Sequence, residues 1–293
     1  MRFLFVDRIT ASEPRNFVEG IKHITWDDLY LCPDDKGNYY FAPSFVGESL
    51  GQLAAWNVMQ AYGFKLRPVA GVVASAKLHR HAYVGDTLRL KSTIEHLDES
   101  AVQYSSQAYI GDTLAFEVNG ALGPMLPMYQ FINEDEVRQQ FHEIYRPTDT
   151  PLAIKHPLTG LSSITAVSPV HLQFDAVLDG VPGQSMHAVK LVSRMAPYFP
   201  DHFPLKPVLP MTVLLECQLN LAKQFMAHFE GGHDFQVTEL RRIKMSDFIQ
   251  PGDVVDCYLS LKSKTETHAV LTFRCEMAGK RVCVMELELQ KTF

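Results

Sequence analysis

The chain has 293 residues, enough for two ordinary domains or one large one, and at 46% hydrophobic and 20% charged it is built for a packed core. A formal net charge of −6, with no long Lys/Arg run, argues against a general nucleic-acid surface. Five cysteines without a CxxC, twelve scattered histidines and no apolar window of about twenty residues leave no case for a metal site, a disulfide framework or a membrane span.

The N-terminus, "MRFLFVDRIT", meets charge at Asp7 and Arg8 and has no apolar run of signal-peptide length. A cytoplasmic protein with reduced, mostly buried thiols is expected. "FLFVDRIT" opens the chain as a strand, and a short strand and a Pro-containing loop follow. An apolar helix is predicted over about Glu48–Tyr62. Strands with turn residues between them follow in "GVVASAKLHRHAYVGDTLRLKSTIEHL" and "AVQYSSQAYIGDTLAFEVNGAL". The segment 132–164 begins charged and helix-prone, then carries Pro147, Pro151 and Pro157, and reads as a linker; "HPLTGLSS" within it has no motif.

After the linker the same order returns. "HLQFDAVL" matches "FLFVDRIT", pairing Asp7 with Asp175 at an offset of 168. Lys22 pairs with Lys190, again at 168, and Gly85-Asp86 with Gly252-Asp253 at 167. "PSFVGESLGQLAAW" matches "PVLPMTVLLECQLN", pairing Pro43 with Pro207 at 164, which a four-residue insertion in "CPDDKGNYY" would explain. A second helix is predicted over about Thr212–Phe229. Both helices are apolar on most faces and must be buried nearly all round. A constant order at a nearly constant offset predicts a duplication: an N-terminal unit 1–131 and a C-terminal unit 165–293, each an α+β layer of antiparallel strands over one long helix.

In the second unit a His-Phe-Pro turn, "DHFPLKPVLPMTVLLE", leads through three prolines into the helix, and Glu216 follows His202 by fourteen residues. With the opening "FLFVDRIT", the "QPGDVVDCYLSL" turn and "AVKLVSRMAPYFPDHFP", this resembles the hotdog-fold 3-hydroxyacyl-acyl-carrier-protein dehydratases. The resemblance covers most of 170–293 and, more weakly, 1–131. It implies a pseudo-dimer of two tandem hotdog units, each a curved antiparallel sheet wrapped around its helix, with the acyl chain in a tunnel at their interface. The His of one unit then faces the carboxylate of the other.

The implied activity is that of a lyase: dehydration of 3-hydroxyacyl thioesters, carried by acyl-carrier protein or coenzyme A, in fatty-acid or polyketide-type synthesis. His202 is the implied base and Glu216 the implied carboxylate. The backbone N–H groups of Met211 and Thr212, at a helix start, are implied to polarise the thioester carbonyl, and Phe203 and Pro210 to line the tunnel. No cofactor or metal is expected, since the substrate itself carries phosphopantetheine.

The first unit departs from the pattern. At offset 164 Gln52 falls opposite Glu216 and Gly47 opposite Met211. The His slot holds Asn38 at 164 or Asp34 at 168. His202 would then face Gln52, and Glu216 would face Asn38 or Asp34. Three readings stay open: Gln52 hydrogen-bonds the substrate hydroxyl; Glu48, one turn earlier on the same helix face, replaces the acid; or the protein binds acyl carriers without turnover, as partner of a synthase. A hotdog thioesterase is a further alternative. For Glu48 the plainer reading is an acid favoured in a first helical turn.

His79 and His81, alternating with Arg80, read as a solvated strand face. Arg241, Arg242 and Lys244 are a candidate carrier-docking strip. Whether two such chains pair as a homodimer is open.

Overall fold

The computed structural model describes residues 3–25, 28–147, 172–192 and 196–292. The second half of the expected linker, with "HPLTGLSS", lies outside the described residues.

In chain order the N-terminal half contains β1 (Arg8–Glu13), β2 (Phe17–His23), β3 (Leu31–Pro33), β4 (Tyr39–Phe41), α1 (Pro43–Ala61), β5 (Leu66–Pro68), β6 (Val72–Leu78), β7 (Ala82–Tyr83), β8 (Thr87–Leu97), β9 (Ala101–Ile110) and β10 (Thr113–Pro127). Then come α2 (Glu134–Ile144), β11 (Ala176–Val181), β12 (Ser185–Leu191), α3 (Met211–Met226), β13 (Phe235–Met245), β14 (Val254–Lys264), β15 (His268–Met277) and β16 (Lys280–Lys291). The charged start of the 132–164 segment is α2; Asn133 caps it by accepting from the Asp135 N–H at 2.8 Å.

One large antiparallel sheet runs β1-β2-β8-β9-β10-β6-β13-β16-β15-β14-β12-β11, with β5 added on β10 and with β3, β4 and β7 as a separate small sheet. The order is nearly palindromic about β6 and β13. Those two strands pair through Leu240 with Ala76 and Ile243 with Val73, so the sheet passes unbroken from one half to the other. β8 alternates strictly, with Leu88, Leu90, Ser92 and Ile94 inward and Arg89, Lys91 and Thr93 outward. That period-two pattern presses one face of the sheet onto a helix.

Buried α1 residues Phe45, Leu50 and Leu53 and buried α3 residues Leu214, Leu221 and Phe225 belong to the same core cluster as the inward strand residues. Polar groups fasten the helices. Asn57 on α1 is fully buried; its Oδ1 accepts from the Arg15 N–H, and its Nδ2 donates to Ser12 Oγ and to the carbonyls of Glu13 and Phe17. In the second half Asn220 Nδ2 donates to the Leu172 carbonyl at 2.7 Å.

The repeated Gly-Asp turns have one geometry. Gly85 and Gly252 have φ of 97° and 98°, a region open mainly to glycine. Gly85 N–H donates to the Ile24 carbonyl, and Gly252 N–H to that of Val192, both at 2.8 Å. Asp86 accepts from the Tyr83 N–H and Asp253 from the Gln250 N–H, as turn aspartates do.

Three local expectations are corrected. α1 begins at Pro43, five residues before the predicted Glu48, because Pro fits the first turn of a helix, where its missing N–H has no acceptor to lose. α3 ends at Met226, three residues before the predicted Phe229. His79, Arg80 and His81 lie between β6 and β7, and His81 is partly buried, its ring 4.0 Å from that of Tyr40. Among the described residues no helix is long and apolar enough to cross a membrane.

Candidate active site

The two helices are tied by a reciprocal pair of hydrogen bonds that sets their true register. Thr212, second residue of α3, donates its hydroxyl to Glu48 Oε2 on α1 at 2.9 Å. Ser44, second residue of α1, donates its hydroxyl to Glu216 Oε2 on α3 at 2.7 Å. Ser44 to Thr212 and Glu48 to Glu216 are each offsets of 168, the value already set by Asp7 and Asp175.

The expected drop to 164 is therefore wrong. Pro43 opens α1 and corresponds to Met211, whereas Pro207 lies in the loop ahead of α3. Gly47 is not the counterpart of Met211, Gln52 is not the counterpart of Glu216, and the His slot falls on Asp34. Glu48 is the sixth residue of α1, outside its first turn.

His202 stands in the loop before α3, and two bonds to Val208 close that loop. The Val208 N–H donates to the His202 carbonyl at 2.9 Å, and the His202 Nδ1 lies 2.9 Å from the Val208 carbonyl. A carbonyl only accepts, so Nδ1 carries the proton and Nε2 keeps its lone pair. Pro204 and Pro207 bring no N–H to this loop, while the Phe203 N–H donates to the Lys206 carbonyl and the Leu205 N–H to that of Phe131. The His202–Phe203 peptide is cis. The ring of Phe203 stacks on that of His202 at 4.1 Å.

A cavity of about 120 Å³ brings together His202 and Phe203 from this loop, Met211 from the start of α3, Glu48 and Gln52 from α1, and Arg67 from β5. The N–H groups of the first turn of α3 have no intrahelical acceptors, so a helix N-terminus borders the cavity. Pro210 is the residue that caps that helix, and it stands beside the cavity-lining Leu209 and Met211.

The environment splits the two titratable groups as acid–base work requires. Burial pushes the His202 imidazole down to about 4, and the nearby Arg67 charge acts in the same direction. It is neutral at pH 7. Burial raises the Glu48 carboxyl above its usual range, against hydrogen bonds from Gln52 and Thr212 and the charge of Arg67. Gln52 donates to Glu48 Oε1 at 2.9 Å, while its own Oε1 accepts from the Phe3 N–H. It positions Glu48 and anchors the N-terminal segment.

His202 and Glu216 line different cavities. Glu216, 1% exposed, borders an open cleft of about 1060 Å³ together with Asp34, Lys36, His81, Lys223 and Lys291. Burial raises its carboxyl too. Asn38 is exposed and donates to Asp34 at 3.1 Å. Of the expected docking strip, Arg241 is paired with Glu288 and Arg242 with Glu286, while Lys244 is exposed.

Sequence reasoning missed Arg67 and Ser44 as site residues, and gave Thr212 only its backbone N–H, not the hydroxyl that binds Glu48. Ser44 and Thr212 were reachable: both are hydroxyl residues at offset 168, once that offset is carried through the helices. For Arg67, one of two cations in "KLRPVAG", only the packing reveals the role.

Residues 181–286 match the model of the ApeI-like family, described as ApeI dehydratase. The 3-hydroxyacyl-acyl-carrier-protein dehydratase FabZ of Shewanella woodyi is 28% identical over 120 residues, 40% of this chain and 79% of that protein. Among solved structures, the dehydratase domain of PpsC from Mycobacterium tuberculosis aligns with a TM-score of 0.52 and 12% identity, covering 98% of each chain. The tesB protein MAP1729c of Mycobacterium avium subs. paratuberculosis aligns at 0.57 and 11%, covering 97% of this chain and 96% of its own. The hotdog fold expected from the sequence is thus shared with the PpsC dehydratase domain and also with a structure described as an oleoyl thioesterase from Lactobacillus plantarum, at a TM-score of 0.58 and 8% identity, while the sequence likeness is to dehydratases.

Proposed function

We propose that this chain is a tandem pair of hotdog units, 1–131 and 165–293 joined by 132–164, and that it dehydrates carrier-linked 3-hydroxyacyl thioesters at a single working site. The reading rests on one observation: His202, its Nδ1 proton committed to Val208, and Glu48 border the same cavity at the start of α3.

Nε2 of His202 takes the proton from C2 of the acyl chain. The C–H electron pair becomes the C2–C3 double bond. Glu48, whose hold on a proton burial strengthens, gives its proton to the hydroxyl leaving C3, which departs as water. N–H groups of Met211 and Thr212 stabilise the charge that develops on the thioester oxygen. That help matters because a histidine with a pKa near 4 is a weak base. Thr212 and Gln52 hold the acid by their bonds to its two oxygens. Glu216 has the same grip from Ser44, but its cleft has Asp34 in the His slot, and it serves structure.

The test is product identity with a 3-hydroxyacyl-carrier-protein substrate. Wild type is expected to form the enoyl thioester, and His202→Ala to lose at least a hundredfold in kcat. Release of free thiol would make the protein a thioesterase instead. Tight binding without turnover, unchanged in His202→Ala, would make it a binding module.

A further inference from the structure

The proposed reaction leaves Arg67 without a task, and its placement is unusual. The guanidinium lies 3.9 Å from the centroid of the Phe203 ring, the same ring that stacks on His202. Stacking uses the guanidinium's face and leaves its in-plane N–H edges for hydrogen bonds. Nε is buried and has no hydrogen-bond partner. Buried donors are nearly always satisfied, and one attached to a permanent charge is costly to leave open.

Arg67 also occupies a boundary. It lines the 120 Å³ cavity with Glu48, and a second cavity of about 40 Å³ with Phe3, Trp56 and Gln140. His202, Phe203 and Gln52 border both spaces as well. Much of the remaining wall is apolar, including Ala55, Val58, Val69 and Val102 in the first cavity. An acyl chain held against His202 thus lies beside an under-bonded guanidinium.

We propose that Arg67 is a substrate-binding residue that donates its open N–H edge to an oxygen of the bound acyl group. This rests on the dehydratase reading of the same cavity. Two oxygens offer that chemistry: the thioester carbonyl, common to every substrate, and an oxygen carried further along the acyl chain toward the second cavity. A hydrocarbon chain alone leaves the donor unpaired.

Binding of inert ligands to the full-length protein separates these sources. The probes are an acyl-pantetheine amide, its thioether lacking the carbonyl oxygen, and amides carrying a hydroxyl along the acyl chain. If the carbonyl is read, wild type prefers amide to thioether by about ten- to a hundredfold, and Arg67→Leu abolishes the preference. If a chain oxygen is read, the hydroxylated amides gain by that factor in wild type and lose it in Arg67→Leu. Arg67→Lys, which keeps charge but not the fork, retains part of either preference and guards against a variant that does not fold. Equal affinities in wild type and both variants for all probes would overturn the proposal. Failure of wild type to dehydrate any substrate, with an Arg67-dependent preference intact, would instead overturn the reaction and leave the binding role standing.

Discussion

Glu48→Gln is the sharpest test of the register set by the hydrogen bonds between helices. Glutamine matches glutamate in shape, and its side-chain oxygen can still accept from Thr212 or from Gln52, the two donors that hold Glu48. What it lacks is a transferable proton. A positioned general acid contributes roughly 10²- to 10⁴-fold to a rate, or about 3–5 kcal/mol of transition-state stabilisation. Because the contacts to the bound chain persist, the loss should fall on kcat, with KM changed by less than about threefold. The assay follows the conjugated enoyl thioester by absorbance under saturating substrate. Glu216→Gln supplies the contrast: it makes the same change at the equivalent position on α3 but borders the other cleft, and its kcat should stay within about threefold of wild type. A Glu48→Gln enzyme with near-normal kcat beside an inactive but folded Glu216→Gln enzyme would refute both the register and the assignment of the acid.

The pH profile follows from the opposed shifts. His202 works as the neutral form, so kcat/KM should fall as pH drops through about 4, and Glu48 works protonated, so the alkaline limb should begin above the ordinary carboxylate range; rates across a buffer series check both limbs, and an acid limb near 6.5 would mean that His202 is not buried in solution. His202 also links pH to stability. Its folded pKa is depressed, so its unfolded form binds a proton first, and thermal midpoints should decline as pH falls from about 6.5 toward 4. Asn57→Ala should cost about 2–4 kcal/mol in denaturant titrations, since it removes a fully buried side chain and its hydrogen bonds to β1, β2 and their turn; a loss under about 0.5 kcal/mol would mean that water replaces the side chain.

The strand order and the turns were legible because they rest on local chemistry. Gly85 and Gly252 must reach φ near +97°, and β8 must alternate, whatever the rest of the chain does. The helix register was misread because proline marks two different things. Pro43 is a first helical residue and Pro207 a loop residue, yet both look like the proline before a helix. Matching them put Gln52 opposite Glu216 and hid Glu48, the residue that shares the reciprocal hydrogen bonds with Glu216's helix. The pairing that decides the matter, Ser44 with Glu216 and Thr212 with Glu48, joins residues far apart in sequence across the two halves, and no local pattern announces it. Arg67 was invisible for the same reason, because its meaning comes from the Phe203 ring that lies against it.

The two halves differ in more than one residue, and that leads to a last prediction. Asp34→His restores a histidine at the 168 position, opposite a Glu216 that already has its Ser44 partner. If residue identity alone made the site, Asp34→His in a His202→Ala background would recover activity. The surroundings argue otherwise. His202 is held by two bonds to Val208, which fix its tautomer, and its ring is stacked on Phe203 in a cavity of about 120 Å³. Asp34 lies in a turn closed by its own bonds to the N–H groups of Lys36 and Asn38, bordering a cleft of about 1060 Å³. A histidine there loses the carboxylate that closes the turn and gains neither the burial that keeps an imidazole neutral nor the wall that excludes water. The double variant should therefore stay within about threefold of His202→Ala in kcat, measured by the same enoyl absorbance. Recovery to a tenth of the wild-type rate would show that the second cleft closes around substrate and that a single side chain separates a working unit from a silent one.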